Sequence, residues 1–187
     1  DYLNFKMENM GLRDKHLSLE SGAYGEYKVF LDYNEIVKFN AYPSRSPLDG
    51  AGGANLTLPA GFVPGSAGNT TASLAALSAG AKDVDLKQKR KIGSVGLSST
   101  QGAVDFGFSF VREYKDGIRS IGGVLGPNGG GAARSIVMPE PVDYVTDKIM
   151  ATVGRNGTRS QIQLEYNLSI FDNKDESLTW QSPFNVT

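Results

Sequence analysis

Gln161-Ile162-Gln163-Leu164-Glu165-Tyr166-Asn167-Leu168-Ser169-Ile170 decides the fold. Every second residue is apolar and the residues between are polar. A period of two places Ile162, Leu164, Tyr166, Leu168 and Ile170 on one face of an extended strand. A helix of 3.6 residues per turn would scatter them around its circumference. Such a strand is expected to be half-buried, its apolar face against a core. Just upstream, Asn156-Gly157 is the preferred pair for a type I′ hairpin turn, which makes Lys148-Ile149-Met150-Ala151-Thr152-Val153 the partner strand.

The same period recurs toward the N-terminus. Val104, Phe106, Phe108 and Phe110 alternate with Asp105, Gly107 and Ser109. Three phenylalanines on one strand face are expected to anchor the core. Asp116-Gly117 reads as a turn into a strand from Ile118 to Val124. Tyr27, Val29, Leu31 and Tyr33 form another strand, with a turn at Asn34 and a short strand from Ile36 to Phe39. A last short strand, Arg134 to Met138, is expected to stop at Pro139-Glu140-Pro141. Seven or eight short strands separated by turn signals imply a mainly β chain, an antiparallel sandwich or barrel.

Glycine shapes the remainder: 23 of 187 residues, about 12%, against roughly 7% in an average protein. Residues 44–81 are dominated by Gly, Ala, Ser, Pro and Thr. Within them only Thr71 to Ala79 has the composition of a short helix. The organisation expected is an N-terminal arm over 1–20 and a single β-rich domain over 21–187. A low-complexity Gly/Ala-rich insertion at about 44–91 interrupts that domain, and a glycine-rich loop follows at 122–133.

Composition removes several kinds of chemistry. There is no cysteine, hence no disulfide framework, thiol nucleophile or cysteine metal site. A single histidine, His16, starves zinc and non-haem iron sites of ligands, so no metal and no cofactor are expected. Lys plus Arg is 19 and Asp plus Glu is 20, a balance unlike that of nucleic-acid wrappers or polybasic membrane binders. No apolar run approaches the ~18 residues of a membrane-spanning helix, and no membrane partner is expected. The first residues also lack the basic and apolar regions of a signal peptide.

Catalytic patterns are sparse. Asp14, His16 and Ser18 supply the residue types of a triad, but as close sequence neighbours, whereas a triad converges from distant positions. Gly123, Gly126 and Gly129 satisfy neither the dinucleotide nor the P-loop pattern. Asp143 with Asp147, and Asp172 with Asp175 and Glu176, are carboxylate groups that a hydrolase or a calcium site could use. As turn residues they need no such role. No catalytic residue is therefore assigned. Asn55, Asn69, Asn156, Asn167 and Asn185 each begin an Asn-x-Ser/Thr sequon, a pattern of the secretory route.

Two surfaces remain. Lys87, Lys89, Arg90 and Lys91 make the one dense basic run, suited to nucleic-acid phosphates or to contact between subunits. Tyr114, Tyr144 and Trp180 are aromatics at strand ends that could stack on sugar rings. A β-rich domain with Gly/Ala-rich extensions and no catalytic constellation points to a non-enzymatic structural subunit of a symmetric assembly. The form expected is a virus or bacteriophage particle, as capsid coat or tail-tube protein, located in the virion or another extracellular assembly. Its partners would be copies of itself and other subunits, with nucleic acid as a further candidate. A secreted or surface β-sandwich that binds carbohydrate is the alternative.

Overall fold

A computed structural model describes residues 1–64, 71–127 and 133–184. Strands β1 (Tyr2–Glu8), β2 (Lys15–Ala23), β3 (Tyr27–Ser46) and β4 (Asn55–Leu56) precede helix α1 (Thr71–Ala79). Then follow β5 (Lys82–Gln101), β6 (Val104–Pro127), β7 (Ala133–Asn156), β8 (Gln161–Asn173) and β9 (Thr179–Trp180). Seven strands form one antiparallel sheet in the order β1-β2-β3-β5-β6-β7-β8, while β4 and β9 form a small parallel pair. The chain is mainly β with one short helix, and α1 spans the segment whose composition predicts it. Residues 1–20, read as an arm, are β1 and part of β2. The stretch 44–91 holds β4, α1 and the first half of β5.

The strands are longer than the turn signals imply, because three of those signals lie inside strands. Asn34 sits within β3, opposite His16 of β2. Asp116-Gly117 sits within β6, where Gly117 adopts φ +133° and a side chain would run into the Lys87 carbonyl. Pro139 and Pro141 sit within β7. Two residues apart, they omit their N–H groups on the same strand edge, and β8 pairs with β7 only from Tyr144 onward. No ladder bond to β8 is lost, so the prolines are tolerated.

The chain divides into two compact units. Unit 1 comprises Asp1–Val37, Lys89–Lys115 and Tyr144–Lys174; unit 2 comprises Lys38–Gln88, Asp116–Asp143 and Asp175–Thr187. Unit 2 has an enclosed core of Leu48, Leu56 and Met138, with Leu58, Ile121, Ile136 and Leu178 packed against it. Pro183 and Phe184 are also buried. Unit 1 has no comparable core. Among its described residues the large apolar side chains are mostly exposed.

Gly117 provides a direct check on the continuous β6. Gly117→Val should cost about 1–3 kcal/mol, since valine resists positive φ and its Cβ has no room beside the Lys87 backbone. Thermal unfolding would read the loss. A neutral substitution would restore the turn at 116–117.

Candidate functional site

The register of β1, β2 and β3 sorts unit 1 into two faces. Phe5 lies opposite Leu19, and Leu19 opposite Leu31; Met7 lies opposite Leu17, and Leu17 opposite Tyr33. On the other face Glu8 lies opposite His16, and Ser18 opposite Asp32. The β7–β8 hairpin repeats the pattern, with Ile149 opposite Leu168, Ala151 opposite Tyr166 and Val153 opposite Leu164. The hairpin forms where Asn156-Gly157 announces it, but over a four-residue connection. Asn156 pairs with Gln161, and the Gly157 amide donates to the Ser160 carbonyl at 2.8 Å.

Side-chain contacts carry the two faces across the middle strands. Lys89 reaches Glu35, joining the odd residues of β5 to the apolar face of β3. Arg90, one residue on, pairs with Glu113, so Arg112 and the even residues of β6 share the Lys89 face. Arg112 in turn grips Asp147, from the Ile149 face of β7, through two bonds of 2.7 Å. One face of unit 1 thus runs continuously from Leu3 and Phe5 through Leu19, Leu31, Leu97 and Phe108 to Ile149 and Leu168.

That apolar face is uncovered. Leu164 is 70% exposed, Leu3 69%, Phe5 62% and Phe108 44%. The expectations of a half-buried β8 and of a core anchored by Phe106, Phe108 and Phe110 are therefore corrected. Alternation is present, but its apolar side meets no protein among the described residues.

The polar face is the internally bonded one. His16 bridges Glu8 at 3.1 Å and Asp32 at 2.7 Å, and Lys28 pairs with Glu20 at 2.7 Å. Asp14 instead accepts the Val37 amide, so the residue types of a triad do not assemble. Phe30 is also on this face, lying over Gly96, where an added Cβ would come within 2.5 Å of its ring. No cluster of three potential metal ligands occurs among the described residues.

The two ends of unit 1 differ. Turns at 24–26, 102–103 and 157–160 lie together, since Thr100 donates to the Glu26 carbonyl and Asn156 to that of Ala103. At the opposite end of the apolar face stand Tyr33, Glu35, Lys89, Arg112, Tyr114 and Asp147. Arg112 Cζ lies 5.9 Å from the ring centres of both Phe110 and Tyr114.

The candidate residues are dispersed. Lys89 and Arg90 serve opposite faces, and Lys87 is 3.7 Å from Asp85 in unit 2, so the run ending at Lys91 presents no single basic surface. Tyr144 meets Phe171 edge-on at 5.2 Å in unit 1, whereas Trp180 donates to the Val124 carbonyl in unit 2. Asp147 is held by Arg112 and Asp172 by Lys174. Of the sequons, Asn55 starts β4, Asn156 ends β7 and Asn167 is on β8; Asn69 and Asn185 lie outside the described residues, as do 128–132 of the glycine-rich loop.

A sheet with an exposed apolar face and an ion-paired polar face has the polarity of a lipid-facing β-structure. The family model described as outer membrane beta-barrel porin, MtrB/PioB, matches residues 1–187, and the chain belongs to that family. It is 31% identical over 179 residues to the outer membrane protein MtrB of Shewanella baltica (strain OS185). The match covers 95% of this chain and 24% of that relative, so the chain spans about a quarter of its length.

Membership overturns the virus or bacteriophage reading, and with it the virion location, the capsid and nucleic-acid partners and the carbohydrate-module alternative. It also overturns the expectation of no membrane partner. A β-structure crosses lipid without any long apolar run, because only alternate residues need be apolar. That no helix among the described residues is long and apolar enough to cross a membrane therefore has no bearing on it.

Proposed function

We propose that unit 1 is part of the wall of an outer-membrane β-barrel, with its Leu19–Phe108–Leu168 face toward lipid and its His16–Glu20–Asp32 face toward the lumen. The continuous exposed apolar face carries this reading. From Ile162 to Ile170 the alternation of β8 covers nine residues, close to the roughly 9–11 that a tilted strand needs to cross a membrane. An open strand edge in hydrocarbon would leave amides and carbonyls unpaired at several kcal/mol each. In the barrel, further strands therefore continue the sheet beyond β1 and β8. Bacterial barrels keep short turns on the periplasmic side, which assigns turns 24–26, 102–103 and 157–160 to the periplasm. The role is that of a wall around a passage, without a catalytic step; on the polar face Glu8, Glu20, Asp32 and Glu113 are engaged in ion pairs.

These 187 residues hold no cysteine, so each label is introduced at a chosen position. In the intact protein reconstituted into vesicles, fluorophores on Leu19→Cys, Phe108→Cys and Leu168→Cys should be quenched by nitroxide-bearing lipids. Those on Ser18→Cys and Asn167→Cys should respond to aqueous iodide instead. Equal lipid quenching on both faces would remove the proposal.

A further inference from the structure

We propose that His16 is a pH-operated latch: as an imidazolium it ties β1 to β3 across β2, and on losing its proton it releases the Glu8 end of β1. One ring placed between two strands carries this inference. His16 lies on β2 opposite Glu8 of β1, and its Nδ1 is 3.1 Å from a Glu8 carboxylate oxygen. Its Nε2 is 2.7 Å from a carboxylate oxygen of Asp32 on β3. Both contacts are on the polar face of unit 1, so the latch goes beyond the barrel reading and does not depend on what covers the apolar face.

Donor counting makes the arrangement sensitive to protons. An ionised carboxylate only accepts, so each ring nitrogen must carry a hydrogen for both contacts to be bonds. The imidazolium has two such hydrogens. The neutral ring has one, and its other nitrogen turns a lone pair toward a carboxylate. The shorter contact, to Asp32, keeps the remaining hydrogen, so the bond that breaks is the one to Glu8. The proton leaves to water, which reaches the ring because 28% of the His16 side chain is exposed. His16 is the one histidine of the sequence, which also has no cysteine, so within these 187 residues it is the side chain suited to titrate near neutral pH.

The groups around the ring set what is released. Glu8 keeps Lys6 at 2.9 Å, a contact within β1 that ties the strand to no neighbour. From β3, Asn34 faces His16 directly, and Asp32 is diagonal to it, opposite Ser18. On β2 itself Glu20 pairs with Lys28 at 2.7 Å, and Lys15 lies on the other face, opposite Glu35. Asp14, in the connection before β2, accepts the Val37 amide, and Arg13 beside it is also partnered. Tyr2, at the far end of β1, donates to Glu20 at 3.1 Å. That anchor is untouched when His16 loses its proton, so the Glu8 end and the 9–14 connection after it are the parts that loosen.

The test is rapid-quench hydrogen exchange on the intact protein in vesicles, from about pH 6 to about pH 9.5, with protection corrected for the intrinsic rate at each pH. In the wild type, protection over residues 6–12 should fall roughly 5-fold as the pH rises, the upper end for an exposed ion pair. Residues 27–34 of β3 should keep theirs. His16→Gln does not titrate, and should show the lower protection over 6–12 at every pH. Glu8→Gln supplies an amide that accepts from the imidazolium and donates to the neutral ring, so it should keep the higher protection at every pH. Constant protection in the wild type, an equal fall over 27–34, or a pH response that persists in either variant would each overturn the inference.

Discussion

Leu168→Arg is expected to destabilise the intact protein in a bilayer by about 2–4 kcal/mol, the cost of a guanidinium on the lipid face near the membrane midplane. Leu168 is central to the β8 alternation and opposite Ile149, so in the proposed barrel wall its side chain has hydrocarbon on one side and apolar neighbours on the other. Asn167→Arg, one residue away, should cost less than about 1 kcal/mol. Asn167 is on the polar face and already donates to Glu165 at 2.6 Å, so the new cation finds a carboxylate and water. Urea titration of the protein folded into vesicles would give both values. Equal penalties would show that the two faces of β8 meet the same medium.

Leu56→Ala should cost about 2–5 kcal/mol by a different mechanism. Leu56 is 1% exposed and packs with Leu48 and Met138, so truncation leaves a cavity that its neighbours close only in part. Hydrogen exchange should locate the loss in unit 2, most clearly at the Asp49 and Thr57 amides, which bond to each other's carbonyls beside Leu56. Leu164→Ala, on the exposed face of unit 1, leaves no such cavity. A Leu56→Ala cost below 1 kcal/mol would mean that unit 2 has no core of its own.

Much of the local structure was legible in the sequence. Alternation located the β7–β8 hairpin, the start of β6 and the first part of β3, and composition located α1. Strand length was not legible, because Asn34, Asp116-Gly117 and Pro139-Glu140-Pro141 have turn-forming chemistry that long-range pairing overrides. Gly117 is kept in the strand by a close approach to Lys87, and the prolines by an edge that β8 does not use.

The larger error came from the medium. Period two in Ile162–Ile170 or Val104–Phe110 states that the two faces differ, but the residue types are the same whether the apolar face meets another sheet or lipid. The ion pairs of the polar face join residues from separate strands, such as Glu8, His16 and Asp32. Only the register brings them together. Tyr33, Tyr114 and the cations beside them were likewise visible one at a time, and their common level was not.

The strict alternation of β8 also limits how genes of this kind can change length. Losing one codon between Ile162 and Ile170 would turn every residue beyond the deletion over, sending Glu165 or Asn167 toward hydrocarbon and leucines toward water. Two codons lost together would preserve the faces and only shorten the span. Insertions and deletions are therefore expected to be tolerated at the connections 9–14, 24–26 and 157–160 rather than within the strands between them.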